Sequence, residues 1–125
     1  MIVASLGIGK VHRLFDIIVS MLVSEKLIGN YAFGYMEDDI FVVRYVGRSD
    51  SDLKTEIRQQ MKTDRAKGCT HFVYSVAESV KDAFEKECRD FHYFGGADRL
   101  NNQNHPAKPA GTNYKCPVVG CEYND

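Results

Sequence analysis

GNYAFGYMEDDIFVVRYVGRSDSDLKTEIR, residues 29–58, is the stretch whose reading decides the fold. Tyr31, Phe33 and Tyr35 alternate with smaller residues, which is the period of a strand with two unlike faces. Residues 40–46 are rich in β-branched and aromatic side chains. Segments 31–37 and 40–46 therefore read as paired strands. Glu37-Asp38-Asp39 is the hairpin turn between them, and three acids in such a place read as a solvated turn rather than a metal cluster. Gly47-Arg48-Ser49-Asp50 leaves the second strand, and Ser49, Asp50, Ser51 or Asp52 can cap a helix that runs to about Ala66. Tyr31 and Tyr45 fall at related positions on the paired strands, beside a loop that carries arginine. A glycine near each tyrosine lets another chain or a ligand approach the backbone closely. This arrangement suits chemistry on a charged substrate.

Outward from that stretch, the helix after the second strand turns Leu53, Ile57 and Met61 to one side. Lys54, Arg58, Lys62 and Arg65 recur at the same steps and form a basic stripe, either a solvated face or a phosphate contact. Residues 70–77 read as a third strand, with His71, Val73 and Ser75 on one face and Phe72, Tyr74 and Val76 on the other. Ser79 caps a helix that reaches about Phe94, with Val80, Ala83, Phe84, Glu87, Cys88 and Phe91 at helical spacing. Glu87 is the odd member: a carboxylate on an apolar face is costly to bury unless it binds something, and otherwise it sits at the rim in water.

Before the hairpin, Leu14, Phe15, Ile17, Ile18, Met21, Leu22 and Leu27 predict a helix over 11–28, stopped by Gly29-Asn30. Its broad stripe packs on the core, with a homodimer contact as the lesser alternative. Residues 1–9 read as a short strand or a loose arm. The Gly7–Lys10 run GIGK is not a phosphate loop, because the glycine spacing is wrong and Val11 follows the lysine.

The chain of 125 residues fits one domain, and a net charge of −1 gives no overall field toward nucleic acid, so any polyanion site is a local patch. No 18-residue apolar run or secretory signal is visible, and the expectation is a cytoplasmic protein with reduced thiols or a metal site. Residues 97–125 lose periodicity and read as an irregular tail. Cys116 and Cys121 have four residues between them, and Cys88 and His92 are four apart on one predicted helix face. Cys88, His92, Cys116 and Cys121 form a candidate structural zinc set that would pin the tail, with His105 as a competing ligand. The alternatives are a buried reduced Cys88 beside an unliganded tail, or a Cys116–Cys121 disulfide.

The order Gly-Asn-Tyr31, Tyr45-Val46-Gly47-Arg48, a helix, a third strand, then a helix with Ala83 and Glu87 four apart resembles the GIY-YIG nuclease superfamily. The ending, with Glu87-Cys88, His92, Gly95-Gly96, Leu100-Asn101, His105-Pro106 and Cys116-Pro117, further resembles small members of it. The resemblance covers roughly residues 29–121. It implies an α+β fold: a three-stranded antiparallel sheet flanked by helices, to which the residue reading adds the N-terminal helix and the irregular tail. The expected organisation is a helical extension over 1–28, a catalytic core over 29–96 and a tail over 97–125.

The same resemblance implies a hydrolase, a divalent-metal-dependent endonuclease for which DNA is favoured over RNA as the substrate. Glu87 would bind Mg²⁺ or Mn²⁺, and Tyr31 and Tyr45 would position or deprotonate the attacking water. Lys54, Lys62 and Arg65 are the candidate nucleic-acid contacts. One departure stands out. The family's usual arginine lies three residues beyond a helix leucine, and here Leu53 is followed at that distance by Glu56. Arg58 is two residues further, about 200° around a regular helix. Arg58 on a rotated helix and Arg48 on the loop are both candidate catalytic arginines. The alternative to catalysis is a nucleic-acid-binding or protein-interaction domain that has kept the fold.

Overall fold

The computed structural model describes residues 10–125. The expected short strand or arm at 1–9, with the glycines of the GIGK run, lies outside the described residues. Among the described residues four strands form one antiparallel sheet: β1 (His12–Arg13), β2 (Gly29–Glu37), β3 (Ile40–Ser49) and β4 (His71–Val76), in the order β1-β4-β2-β3. Three α-helices among the same residues accompany it: α1 (Asp16–Leu22), α2 (Leu53–Gln60) and α3 (Val80–Tyr93). The α+β class holds, but the sheet has four strands rather than three. The added strand comes from the segment whose apolar spacing predicts helix. His12 and Arg13 pair with Phe72 and His71, and Leu14 donates to the Thr70 carbonyl, so the open edge of β4 captures this backbone. Helix is left only from Asp16 to Leu22. Val19 and Val23 are buried, whereas Ile17 and Met21 point into solvent.

The hairpin forms as its residues dictate. Asp38 and Asp39 both have positive φ, 50° and 64°, as a two-residue turn matched to strand twist requires. The acid run is therefore the tip of a turn. The register pairs Phe33 with Tyr45 and then Gly34 with Val43, leaving Arg44 as the extra residue of a β-bulge. Phe41, Val43 and Val46 consequently face α3 with Ala32, Val73, Phe91 and Phe94. Tyr45 faces the other way, with Tyr31, Phe33 and Phe72, under Val19 of α1 and Leu53 and Ile57 of α2. The sheet is thus covered on both faces. Phe33, Phe41, Phe72, Phe84 and Phe94 are fully buried, each contributing roughly 1.5–3 kcal/mol of apolar transfer.

Both later helices begin where a side chain caps them. Asp52 accepts from the Thr55 amide at α2, and Ser79 accepts from the Asp82 amide at α3. α2 ends at Gln60, and a separate 3₁₀ turn, Asp64–Ala66, completes the stretch expected to be one helix. The tail is ordered by specific bonds. The Asn102 side chain accepts from the Val46 amide at 3.0 Å and donates to the Val46 carbonyl at 2.9 Å, so it closes part of the free edge of β3. The Asn101 side chain donates to the carbonyls of Arg65 and Lys67. A small separate cluster of Phe84, Cys88 and Cys116 joins the tail to α3. No helix among the described residues is long and apolar enough to cross a membrane.

Candidate active site and metal centre

Tyr31 lies directly across the ladder from Gly47, and a Cβ at Gly47 would come within 2.4 Å of the Tyr31 ring. The close approach that a glycine permits here is made by the chain's own tyrosine. At Gly29 the approaching group is the Ser75 carbonyl of β4. The two tyrosine rings sit with centroids 6.1 Å apart. Tyr31 is buried and its hydroxyl donates to Glu56 Oε2 at 2.9 Å. Burial, then Tyr45 and Glu56, hold the Tyr31 phenol well above its ordinary pKa. Burial and Glu87 also raise that of Tyr45, against the pull of Arg65. At neutral pH both phenols therefore keep their protons and act as hydrogen-bond donors.

Arg48 leaves the end of β3 pointing at α3. Its Nη1 donates to Glu87 Oε1 at 2.6 Å, while Nε and Nη2 grip the two oxygens of Asp50 at 2.8 and 3.2 Å. The guanidinium also lies over the Phe84 ring, 5.2 Å from its centroid. Glu87 is 8% exposed, and burial pushes its carboxyl up, to about 7, although Arg48 pulls it back. Asn30 sets the position of α3, donating through Nδ2 to the Ala83 carbonyl at 2.9 Å, one turn before Glu87.

These side chains share a cleft. Tyr45, Arg48, Asp50, Glu56 and Glu87 line a space of about 230 Å³ beside Gly47 and Ala107. An adjoining space of about 540 Å³ shares Tyr45 and Glu87 and is walled by Arg65 and tail residues 101–107. The structure thus brings Tyr31, Tyr45, Arg48 and Glu87 together, with Glu56 turned inward among them. Arg58 is elsewhere: it pairs with Asp16 of α1 at 2.8 Å and borders a separate shallow groove with Lys62. Of the basic stripe, Arg65 lines the cleft, and Lys54 and Lys62 do not. Around Arg48 stand three carboxylates, Asp50, Glu56 and Glu87. Glu87 is buried, Glu56 half-buried and Asp50 exposed, and carboxylate oxygens of this kind are donors that suit a hard divalent cation at Glu87.

A second group of ligands lies in the tail. His92, His105, Cys116 and Cys121 each offer one donor atom, and these atoms all lie within 4.8 Å of one another, a cluster that could hold a metal ion. His105 stands in the place that Cys88 had in the leading expectation. Cys88 is fully buried with Phe84 and adjoins Cys116 from outside the set. All four cysteines are free thiols.

The sequence assigns no site role to Asn30, Asp50, Asn101 or Asn102. Asparagines reveal their hydrogen-bonding capacity in sequence but not their partners, and Asp50 reads equally well as one of four possible helix caps. No protein-family model matches this chain, and no curated protein or solved structure does.

Proposed function

We propose that the chain is a divalent-metal-dependent endonuclease that hydrolyses nucleic-acid phosphodiesters, with DNA as the favoured substrate. The observation that carries this reading is the convergence of Tyr45, Arg48, Glu56 and Glu87 on one cleft, with Tyr31 bonded to Glu56 beside it. The resemblance to the GIY-YIG superfamily implies roles for Tyr31, Tyr45 and Glu87, whereas Glu56 stands where it expects an arginine and Arg48 is the arginine that meets Glu87 instead. Mg²⁺ or Mn²⁺ held by Glu87 would supply stabilisation of charge on the phosphate and on the leaving 3′ oxygen. Arg48 is the cation of the cleft nearest that carboxylate and meets the phosphate. Tyr45, its phenol protonated, donates a hydrogen bond that orients water or a phosphate oxygen. Glu56, already an acceptor for Tyr31, is placed to take a proton that the helix arginine of the family could not. Arg65 extends the cleft toward the nucleic-acid backbone.

Plasmid nicking in Mg²⁺ or Mn²⁺ tests this. Glu87→Gln is expected to lose at least about a hundredfold in rate, on the scale of removing a group that stabilises transition-state charge. Arg58→Ala should leave the rate unchanged. Nicking that survives Glu87→Gln would remove Glu87 from the site.

A second reading is supported by Glu56 itself. It places a carboxylate beside Tyr31, and Arg48 is already neutralised by Glu87 and Asp50. On this reading the domain binds nucleic acid without cutting it. Salt-sensitive binding with no cleavage in any divalent ion would favour it.

A further inference from the structure

We propose that His92, His105, Cys116 and Cys121 bind one Zn²⁺ in a closed tetrahedral site that staples the C-terminal tail to α3. This ligand cluster is separate from the carboxylates of the cleft. Two imidazoles and two thiolates are a structural zinc set, and four protein ligands leave no open position for a reaction. Two thiolates also balance the charge of the ion. In such a site the ligand atoms stand about 3.3–3.8 Å apart, from Zn–N and Zn–S lengths of about 2.0–2.3 Å. Cys121 Sγ and His105 Nε2 are 3.4 Å apart, and all four donors fall within 4.8 Å without an ion to draw them in.

The surroundings of each ligand point the same way. His105 Nδ1 lies 2.9 Å from the Pro106 carbonyl, a contact that requires the proton on Nδ1. That leaves the Nε2 lone pair directed toward Cys121, and a metal-bound histidine is commonly held in this way, its other ring N–H donating to a backbone carbonyl. The imidazole is held in place by stacking on Tyr123, with centroids 4.3 Å apart, and by the edge of Phe91. Cys121 Sγ accepts from the Tyr123 amide at 3.4 Å, which fixes its side chain beside His105. His92 Nε2 is buried with no hydrogen-bond partner, a cost that a chain without a metal would carry unrelieved. Cys88 takes no part as a ligand; it packs against Phe84 and Cys116.

The site has a structural consequence. His105 also lines the larger space beside Tyr45 and Glu87, so an ion here would fix one wall of the cleft.

The test is metal analysis of the full chain purified without chelator. About one equivalent of zinc per chain is expected, and Cys116→Ser with Cys121→Ser, or His105→Ala, should reduce it below about a tenth. Cys88→Ala should retain the ion. Replacement of zinc by cobalt serves even if a variant fails to fold. It should give tetrahedral bands with charge-transfer intensity from two thiolates. Under about a tenth of an equivalent, both as purified and after refolding with Zn²⁺, overturns the proposal. So does a Cys116–Cys121 disulfide found by mass in freshly prepared protein, or a three-thiolate cobalt spectrum.

Discussion

Glu87 is where burial and function meet on a single side chain. Its carboxyl is raised from 4.5 to about 7, chiefly by burial, with Arg48 opposing. Between those values the folded chain holds a proton that the unfolded chain has lost. The contribution of Glu87 to stability is therefore fully present below about 4.5, declines as pH rises, and is gone above about 7, a change of at most about 3 kcal/mol. Urea unfolding across this range should show the stability difference between Glu87→Gln and the parent chain drifting in that sense. A difference that stays flat would mean that Arg48 keeps the carboxylate ionised throughout. The same proton competes with a cation, so Mg²⁺ affinity should fall by about tenfold per pH unit below 7, as titration at several pH values would show. Glu87 was legible in the sequence because a carboxylate interrupts an apolar helix face. Which arginine meets it was not. Arg48 and Arg58 are equally polar in sequence, and only the paths of β3 and α2 send one into the cleft and the other to Asp16.

Among the elements, β3 shapes the site most. Its bulge at Arg44 moves Tyr45 to the face that carries Tyr31, whereas strict alternation would have placed it with Val43 under α3. A sequence shows the period of a strand but not an inserted residue, which exists only relative to a partner. β3 is also an edge strand, and Asn102 satisfies both polar groups of Val46 there. Asn102→Ala would leave a buried amide and carbonyl unpaired. It should cost about 2–3 kcal/mol, read as a lower urea midpoint with unchanged slope. A loss under about 0.5 kcal/mol would mean that water replaces the side chain without penalty. The short α1 makes the same point from the other side. Its segment has helical spacing, but the open edge of β4 offered hydrogen bonds that local propensity could not match.

On the scale of the whole molecule, the net charge of −1 leaves nucleic-acid affinity to a local patch. The basic stripe expected along one helix is divided by the structure. Arg58 and Lys62 border one groove, and Arg65, on the turn after α2, borders the cleft. If the cleft receives the backbone, Arg65→Ala should weaken binding and lower the salt slope by about one, while Lys62→Ala changes neither. Fluorescence anisotropy over a salt series reads both. Equal effects of the two substitutions would mean that the stripe binds as a continuous face.

By itself the sequence determined the α+β class, the hairpin with its acidic turn, the Ser79 cap of α3, a helix start within residues 49–52, and the oddity of Glu87. These are local properties: side-chain period, turn chemistry and capping act between residues a few positions apart. Only the tertiary structure decided the fourth strand, the face of Tyr45, the inward Glu56, the choice of Arg48 over Arg58 beside Glu87, and His105 rather than Cys88 in the tail cluster. Each of those depends on which distant backbone supplies a hydrogen bond or closes a pocket. No spacing in the chain records that choice, because it is made by packing.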